Sequence, residues 1–212
     1  MTRRQRLVKI IEIFQQTNPI PKTELHYKNP YELIVAVILS AQCTDVRVNK
    51  ITPEFYKTFP TAKVLAVSTE AAIFEKIKSC SYPNNKARNL KAMAEMLTTR
   101  FKGKIPTDPD EMQQLPGVGR KTAHVLASVL FQQNVLAVDT HVQRVSVRLG
   151  LAPGATTPLA VEKALVSIAP KDTLHDLHHW LILHGRYVCK ARTPLCGSCV
   201  IAEFCGYPLR KV

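Results

Sequence analysis

Residues 115–123 of the chain are Leu-Pro-Gly-Val-Gly-Arg-Lys-Thr-Ala, a stretch that predicts a turn opening directly into a helix. Pro116 and the glycines at positions 117 and 119 allow the backbone to turn sharply and to approach a ligand closely. Beyond the turn, apolar residues recur at helical spacing at positions 123, 126, 129 and 130. A short preceding helix is predicted from Asp108, which gives a helix, a glycine hairpin and a second helix. The N–H groups that begin the second helix form an anion site; an ordinary glycine turn is the alternative.

The composition points to a globular protein with an anionic partner. The chain has 212 residues, of which 46% are hydrophobic and 21% charged, and its net charge is +13. Such an excess of cations favours DNA, RNA or an anionic membrane surface, although a merely basic soluble protein is also consistent with it. Residues 33–39, the longest apolar run, are too few to span a bilayer, and residues 7–14 lack the core of a signal peptide. We therefore expect a cytoplasmic protein that does not span a membrane, and the composition leaves the three kinds of anionic partner as alternatives.

The pattern of apolar residues along the chain predicts an all-α protein of about ten helices. Apolar residues recur at helical spacing, and no pair of segments shows the alternation of apolar and polar residues that is typical of a sheet. Asn29, Pro30 and Glu32 predict a capping box at the beginning of a helix. Residues 33–39 of that helix are apolar on every side, which predicts a central position in a core. Pro53 is expected to interrupt or end the following helix. Another helix is predicted from Lys86 to Phe101.

Four cysteines lie close together near the C-terminus with the spacing C-x6-C-x2-C-x5-C: Cys189, Cys196, Cys199 and Cys205. Four thiolates in one loop suit a tetrahedral zinc ion or a four-iron cluster, and soft ligands alone do not decide between them. The other two cysteines, Cys43 and Cys80, are expected to be packed thiols.

Cations and histidines surround this cysteine loop. Lys190 and Arg192 lie between the first two cysteines and Arg186 precedes them, so a metal-held loop would present them to phosphates; a solvated charged loop is the alternative. Four histidines also precede or overlap this region: His175, His178, His179 and His184. Because the cysteines already supply metal ligands, we expect core and hydrogen-bonding roles for these histidines.

Several motifs together resemble the endonuclease III family, which comprises helix–hairpin–helix DNA glycosylases with an iron–sulfur cluster. They are the hairpin at 115–123, Val-Asp-Thr-His at 138–141, His-Gly-Arg-Tyr-x-Cys at 184–189 and the four-cysteine spacing, with Ser-Ala-Gln-Cys-Thr-Asp at 40–45. The resemblance implies a six-helix barrel domain with the hairpin, residues 22–133. It implies a second domain, residues 1–21 with 134–212, that holds a 4Fe-4S cluster on the four cysteines. The active site would lie in the cleft between the two domains.

The activity that the resemblance implies is that of a DNA glycosylase and abasic-site lyase that removes oxidised pyrimidines from double-stranded DNA. Such an enzyme must flip the damaged nucleotide out of the duplex. Lys121 would attack the sugar, and the helix terminus and Arg120 should favour its neutral amine. The resulting imine acidifies the adjacent position, so the 3′ phosphate is eliminated. Asp139 would stabilise cationic sugar character and move protons. The alternatives are a phosphate contact for Lys121 and a plain N-cap for Asp139.

The remaining expected roles concern DNA contacts and pocket support. The backbone N–H groups of Gly117, Val118 and Gly119 would bind a phosphate without reading sequence. By resemblance, Gln42 would fill the gap left by the flipped nucleotide. Ser40 and Asp45 would line or support the pocket, with local capping as the equal alternative. We expect His141 to support the region around Asp139.

One loop departs from the family pattern. The loop before Lys86 usually carries an aliphatic wedge residue, whereas this chain has Ser-Tyr-Pro-Asn at 81–84. Tyr82 could insert and stack against bases; otherwise wedging is weaker and the preference for the opposite base differs.

Two rival functions are consistent with parts of the sequence, namely an adenine- or mismatch-specific relative and a non-catalytic DNA-binding module. Lys121 argues against the first, because such relatives generally lack lysine at the nucleophile position. The presence of Lys121 together with Asp139 argues against the second, which would need neither. We expect the enzyme to be a monomer.

Overall fold

The computed structural model describes residues 1–207, and in this part of the chain all regular structure is helical. The all-α prediction is therefore confirmed. No helix among the described residues is both long and apolar enough to cross a membrane. In chain order the α-helices are α1 (Arg3–Thr17), α2 (Pro30–Ser40), α3 (Asp45–Thr58), α4 (Ala62–Val67), α5 (Glu70–Ile77), α6 (Pro83–Thr99), α7 (Pro109–Met112), α8 (Arg120–Phe131), α9 (Thr140–Arg148), α10 (Pro158–Val166) and α11 (Leu174–Tyr187), followed by 3-10 turns at Cys196–Ser198 and Ala202–Phe204.

The chain forms two compact units, each with its own core. Glu24–Phe131 forms the first, which contains α2 to α8 and is called the hairpin unit here. Met1–Thr23 and the chain from Gln132 onward form the second, called the cysteine unit. The second unit is thus built from both ends of the described chain, with the hairpin unit inserted between them.

Helix α2 is the centre of the hairpin unit. All seven residues from 33 to 39 are buried, as their uninterrupted apolar run predicts. The helix packs against α3, α6 and α8. Asn29 caps it, since the Asn29 side chain accepts a hydrogen bond from the Glu32 N–H. The Glu32 carboxylate accepts from the Lys28 N–H at 2.7 Å, one residue before the position expected for a capping box.

Two helix boundaries differ from the prediction. Pro53 does not end α3, which continues to Thr58. Proline removes one backbone hydrogen bond, but buried Thr52 and Phe55 anchor the helix on both sides of it. Helix α6 begins at Pro83 and not at Lys86, because proline is well suited to the first turn, where its missing N–H has no helical partner.

The core of the cysteine unit joins α1 to α9, α10 and α11. The predicted face of α1, namely Leu7, Ile10, Ile11 and Phe14, is fully buried there. Trp180 of α11 packs beside Phe14 with ring centroids 6.0 Å apart and donates from Nε1 to the Asn18 carbonyl at 2.8 Å. Gly185 allows α11 to approach α9, because a Cβ there would lie 2.9 Å from the His141 Cβ.

The buried histidines of α11 belong to this core, as expected. The His178 Nδ1 lies 2.7 Å from the Ala137 carbonyl oxygen. Its ring and that of His175 each contact the His179 ring edge-on. Burial, with the neighbouring His178 and His175, lowers the pKa of His179 to about 3. The imidazole of His179 is therefore neutral in the folded protein.

Candidate active site

The glycine turn connects α7 to α8 within the hairpin unit. Gly117 has a φ of +81°, in the left-handed region that glycine adopts without strain. A Cβ at Gly117 would lie 3.1 Å from the Asn89 Cβ and 3.4 Å from the Ile38 Cγ2. The turn therefore requires glycine at 117 for its backbone angle and for its packing. At Gly119 the space around a Cβ is open, so this glycine leaves the surface clear for an approaching ligand.

Val118 corrects part of the sequence prediction. Its side chain is 5% exposed and anchors the turn in the core together with Leu115. Its N–H donates to the Leu115 carbonyl at 3.0 Å, so this group is already used inside the turn. The backbone donors that an anion would find here are those of Gly117 and Gly119, for which the described residues supply no partner.

Lys121 is exposed in the first turn of α8, two residues beyond Gly119. Arg120, the first residue of the helix, is exposed beside it. Beyond the first turn, α8 is buried on all sides from Ala123 to Ser128, which is a broader buried segment than the predicted stripe. This packing fixes the first turn, so the positive end of the helix and two cationic side chains lie at one place on the surface.

Asp139 caps α9 in the cysteine unit. Its Oδ1 accepts hydrogen bonds from the N–H groups of His141 and Val142, both at 2.8 Å. The His141 ring lies with Nδ1 3.2 Å from Nη2 of Arg144, and burial lowers the pKa of His141. Asp139 is therefore a half-buried N-cap held by the backbone N–H groups of His141 and Val142. The capping role, which the sequence offered as the alternative for Asp139, is thus present.

Two loops of the hairpin unit carry the residues expected to enter DNA. Gln42 is exposed and has a φ of +52° in the turn after α2. Tyr82 is 61% exposed and has a φ of +54° just before α6. The hydroxyl of Ser81 donates to the Gln42 carbonyl, so the structure places the two loops side by side.

The neighbours of Gln42 make local hydrogen bonds. The Ser40 hydroxyl donates to the Val37 carbonyl at 2.8 Å, within the last turn of α2. Thr44 caps α3, and Asp45 is the first residue of that helix. Cys43 and Cys80 pack together with their Sγ atoms 3.7 Å apart. The predicted thiol packing is therefore confirmed, and for Ser40 the local hydrogen bond exists.

The four C-terminal cysteines line one cavity that is partly open to solvent. None of the cysteines is in a disulfide. The remaining walls are mostly apolar and include Leu149, Val188 and Leu195. Burial raises the pKa values of Cys199 and Cys205. Among the described residues, no three His, Cys, Asp or Glu side chains are close enough together to hold a single metal ion.

Two arginines of α9 hold the loop that follows the first cysteine. Arg148 Nη1 donates to the Cys189 Sγ at 3.4 Å and to the Lys190 carbonyl at 2.7 Å, and Nη2 donates to the Ala191 carbonyl at 2.8 Å. Arg144 donates to the Cys189 carbonyl at 3.2 Å and to the Gly185 carbonyl at 2.8 Å. The cysteine loop is thereby fastened to the helix that Asp139 begins.

The predicted cations of this region differ in exposure. Lys190 and Arg192 are exposed on the fastened loop, whereas Arg186 is half-buried in the last turn of α11. Arg148 restrains the backbone of this loop, because its guanidinium donates to the carbonyls of residues 190 and 191. The structure thus presents two exposed cationic side chains on a loop that is hydrogen-bonded to α9.

Sequence comparison identifies two families along the chain. Residues 35–171 match the HhH-GPD superfamily of base excision DNA repair proteins. Residues 189–205 match the iron-sulfur binding domain of endonuclease III, and these limits are those of the four-cysteine loop. The two matches together contain all of the predicted catalytic and metal-ligating residues.

Individual relatives agree over nearly the whole length. Endonuclease III of Rickettsia felis is 48% identical over 199 residues, which cover 94% of this chain and 93% of the relative. Endonuclease III of Escherichia coli K12 is 42% identical over 207 residues, covering 98% and 97%. The chain belongs to the endonuclease III family. A solved structure of a trapped endonuclease III–DNA covalent intermediate superposes with a TM-score of 0.92 at 41% identity, covering 97% of each chain.

Membership of the endonuclease III family establishes the general activity. The protein is a DNA-binding enzyme of base excision repair that acts as a DNA glycosylase and abasic-site lyase. It has the all-α, helix–hairpin–helix fold of that family. The resemblance drawn from the hairpin, the cysteine spacing and the motif around Asp139 is confirmed at this level.

The endonuclease III family also establishes the cofactor, a 4Fe-4S cluster. The described residues fit it: the four cysteines surround one cavity, and no disulfide competes for their thiols. Arg148 donates to the Cys189 sulfur at 3.4 Å, and the His184 Nε2 lies 3.6 Å from the Cys199 sulfur. A guanidinium and an imidazole thus face the sulfurs that would carry the charge of the cluster.

Three cationic residues that organise these regions were not predicted from the sequence. Arg144 and Arg148 lie one helical turn apart on α9, and this spacing after Asp139 could have marked them as a pair on one face. The sequence predicts Lys86 only as the beginning of a helix, yet its side chain is 6% exposed. A lysine among apolar residues 87, 90, 93 and 94 of α6 gives a weak signal, because burial of a lysine depends on partners that are distant in sequence.

Proposed function

We propose that this enzyme removes oxidised pyrimidines from double-stranded DNA with Lys121 as its nucleophile. The observation that carries the proposal is the position of Lys121, exposed in the first turn of α8. It follows directly behind a glycine turn with two N–H groups for which the described residues supply no partner. A relative of this chain has been trapped as a covalent DNA intermediate. Covalent chemistry requires such a nucleophile at a place where the DNA backbone is also held.

The reaction proceeds through an imine between Lys121 and the sugar. The neutral amine of Lys121 forms a bond to C1′ of the flipped nucleotide while the glycosidic bond breaks, and the base leaves as it takes a proton. Opening of the bond between C1′ and the ring oxygen gives the imine. Loss of a proton from C2′ then expels the 3′ phosphate, and water hydrolyses the imine to restore the amine. Glycosylase and lyase chemistry thus share one lysine.

Asp139 assists this chemistry as a carboxylate. Its Oδ1 is held by two N–H groups of α9, which fixes the position of the carboxylate. An ionised carboxylate stabilises the cationic sugar as the base departs and accepts or returns protons during attack. In this proposal His141 supports Asp139 through its N–H and through the ring contact with Arg144.

DNA contacts fall into two groups. Gly117 and Gly119 bind a phosphate beside the lesion through their backbone N–H groups, with Arg120 alongside. Val118 contributes by packing the turn, because its own N–H is already bonded. The cysteine unit binds further phosphates through its cations, Arg186, Lys190 and Arg192. All of these contacts are independent of sequence, as a repair enzyme requires.

The damaged nucleotide is exposed by two inserting side chains. Gln42 fills the gap that the flipped nucleotide leaves, and Tyr82 stacks against neighbouring bases. Ser40 and Asp45 support the pocket.

In this proposal the enzyme acts as a monomer, because one chain carries every group named. It acts in the cytoplasm, where the thiols of the ligand cysteines stay reduced.

Borohydride trapping tests the proposal. The holoenzyme is incubated with duplex DNA that contains thymine glycol or an abasic site, and borohydride is added to reduce any imine. We expect a covalent adduct that disappears in Lys121→Gln and persists in Lys104→Gln, a change at an exposed lysine of the loop between α6 and α7. An adduct of undiminished yield in Lys121→Gln would refute the assignment of the nucleophile. An adduct with the abasic site alone would refute the proposed base specificity.

A further inference from the structure

Lys86 is buried in an unusual environment. It lies in the first turns of α6 with 6% of its surface exposed. Its Nζ donates to the Leu39 carbonyl at 2.7 Å and to the Ala41 carbonyl at 2.8 Å. Both carbonyls are at the C-terminal end of α2, which carries partial negative charge. The partial negative charge of the helix terminus thus faces the ammonium. Burial lowers the pKa of Lys86.

The two loops expected to enter DNA meet at this lysine. The loop at residues 40–44 carries Gln42, the loop at residues 79–82 carries Tyr82, and together they are called the insertion loops here. The Lys86 ammonium donates to the Ala41 carbonyl in the first loop. The backbone N–H of Lys86 donates to the Tyr82 carbonyl in the second loop at 3.1 Å. The Ser81 hydroxyl adds a direct bond from the second loop to the Gln42 carbonyl.

The insertion loops need such support because their backbones are strained. Gln42 and Tyr82 both have positive φ angles, +52° and +54°, which non-glycine residues adopt only when their surroundings impose them. Both side chains are exposed, so packing of the side chains themselves cannot fix these angles. The bonds from Lys86 and Ser81 act on the backbones of the loops, where the strain lies.

We propose that Lys86, assisted by Ser81, is a positioning residue that holds the two insertion loops as one rigid unit, so that Gln42 and Tyr82 enter the duplex together. This inference rests on the proposed roles of Gln42 and Tyr82. Loops that are ordered before binding lose less conformational entropy in the complex. The contribution of Lys86 therefore lies in opening the duplex and not in the chemistry at Lys121.

The decisive variants are Lys86→Met and Ser81→Ala. Methionine keeps most of the buried volume and removes the two bonds to carbonyls, and alanine removes one hydroxyl from a half-exposed position. Lys91→Met is the matched control, because Lys91 also lies on α6 and its Nζ donates to the Ala66 carbonyl at 3.0 Å, away from the insertion loops. The thermal unfolding of each variant is recorded beside that of the parent protein.

Four measurements separate opening of the duplex from chemistry. Fluorescence of 2-aminopurine placed beside a tetrahydrofuran abasic analogue reports insertion, and titration of the same duplex gives Kd. The single-turnover rate of base removal from thymine glycol depends on flipping of the damaged nucleotide. Borohydride trapping on an abasic site at saturating enzyme reports attack by Lys121. In Lys86→Met we expect Kd to rise roughly tenfold and the rate of base removal to fall roughly tenfold, because the charged ammonium no longer donates its two hydrogen bonds. Trapping at saturation should stay within roughly twofold.

The outcomes distinguish the inference from the function it rests on. If Gln42→Ala and Tyr82→Ala leave the fluorescence change intact, the proposed roles of these residues are wrong, whatever Lys86→Met does. If those two variants lose the signal while Lys86→Met and Ser81→Ala behave like Lys91→Met, the positioning role is overturned. A parallel fall of trapping, base removal and melting temperature in Lys86→Met would also overturn it, because that pattern indicates a purely structural residue.

Discussion

Asp139 has two proposed roles, as the cap of helix α9 and as a catalytic carboxylate. A substitution that replaces one of its two carboxylate oxygens can separate them. Its Oδ1 caps α9 by accepting from the N–H groups of His141 and Val142 at 2.8 Å. An asparagine side chain at this position would present an equivalent oxygen, because asparagine and aspartate cap helices almost equally well. Asp139→Asn therefore keeps the cap and removes the negative charge, whereas Asp139→Ala removes both.

The expected magnitudes follow from these contacts. Loss of the charge at the helix N-terminus costs about 0.3–1 kcal/mol, and loss of the cap in the alanine variant costs about 0.5–2 kcal/mol more. For a protein of this size, about 1 kcal/mol corresponds to a melting temperature lower by roughly 2–4 °C. If the carboxylate also stabilises the cationic sugar and moves protons, the rate of base removal falls by about 10²–10⁴-fold in both variants.

The assay combines thermal unfolding with single-turnover base removal from a duplex with thymine glycol. We expect Asp139→Asn to unfold close to the parent protein and to be nearly inactive, and Asp139→Ala to be both less stable and nearly inactive. The reasoning would be refuted if Asp139→Asn retained activity within a fewfold of the parent protein while Asp139→Ala lost it. Asp139 would then be a helix cap and nothing more.

Three further predictions follow from packing, from the cysteine loop and from a buried imidazole. Gly117→Ala should be less stable than Gly103→Ala by about 1 kcal/mol or more, because both glycines have positive φ but only the first lacks room for a Cβ; equal losses in denaturant unfolding would contradict this. Arg148→Met should release the segment after Cys189, so bleaching of the cluster absorbance by an iron chelator should be faster, and an unchanged rate would count against the role of this arginine. His179 stays neutral in the fold with a pKa of about 3, whereas the unfolded chain takes up its proton near pH 6.5, so the protein should lose roughly 2 kcal/mol between pH 7 and pH 5. His179→Gln should flatten that part of the pH–stability curve, and a variant curve parallel to that of the parent would contradict the assignment.

Much of the fold was predictable because its signals are local. The cap at Asn29, the uninterrupted apolar run from Leu33 and the glycine turn at Gly117 depend on neighbouring residues, and each leads to the observed structure. The prediction for Pro53 was wrong because the burial of Phe55, a tertiary effect, keeps α3 continuous. Single residues with strong propensities therefore predict less well than patterns.

The candidate site was predictable in its residue types and less so in its supports. The four cysteines and Asp139 were identified by their spacing and motifs, and the structure places them in one cavity and at a helix cap. Lys86 and Arg148 were missed because their partners are backbone carbonyls more than 40 residues away. Carbonyl groups leave no trace in a sequence, so residues that act through them become visible only in three dimensions.

The covalent bond to Lys121 is the claim on which the mechanism depends, and peptide mapping of the trapped complex tests it most directly. The holoenzyme is reduced with borohydride on DNA containing thymine glycol, the complex is digested, and mass spectrometry locates the reduced sugar fragment. We predict that the fragment lies on Nζ of Lys121. A fragment on any other lysine or on the N-terminal amine would contradict the mechanism.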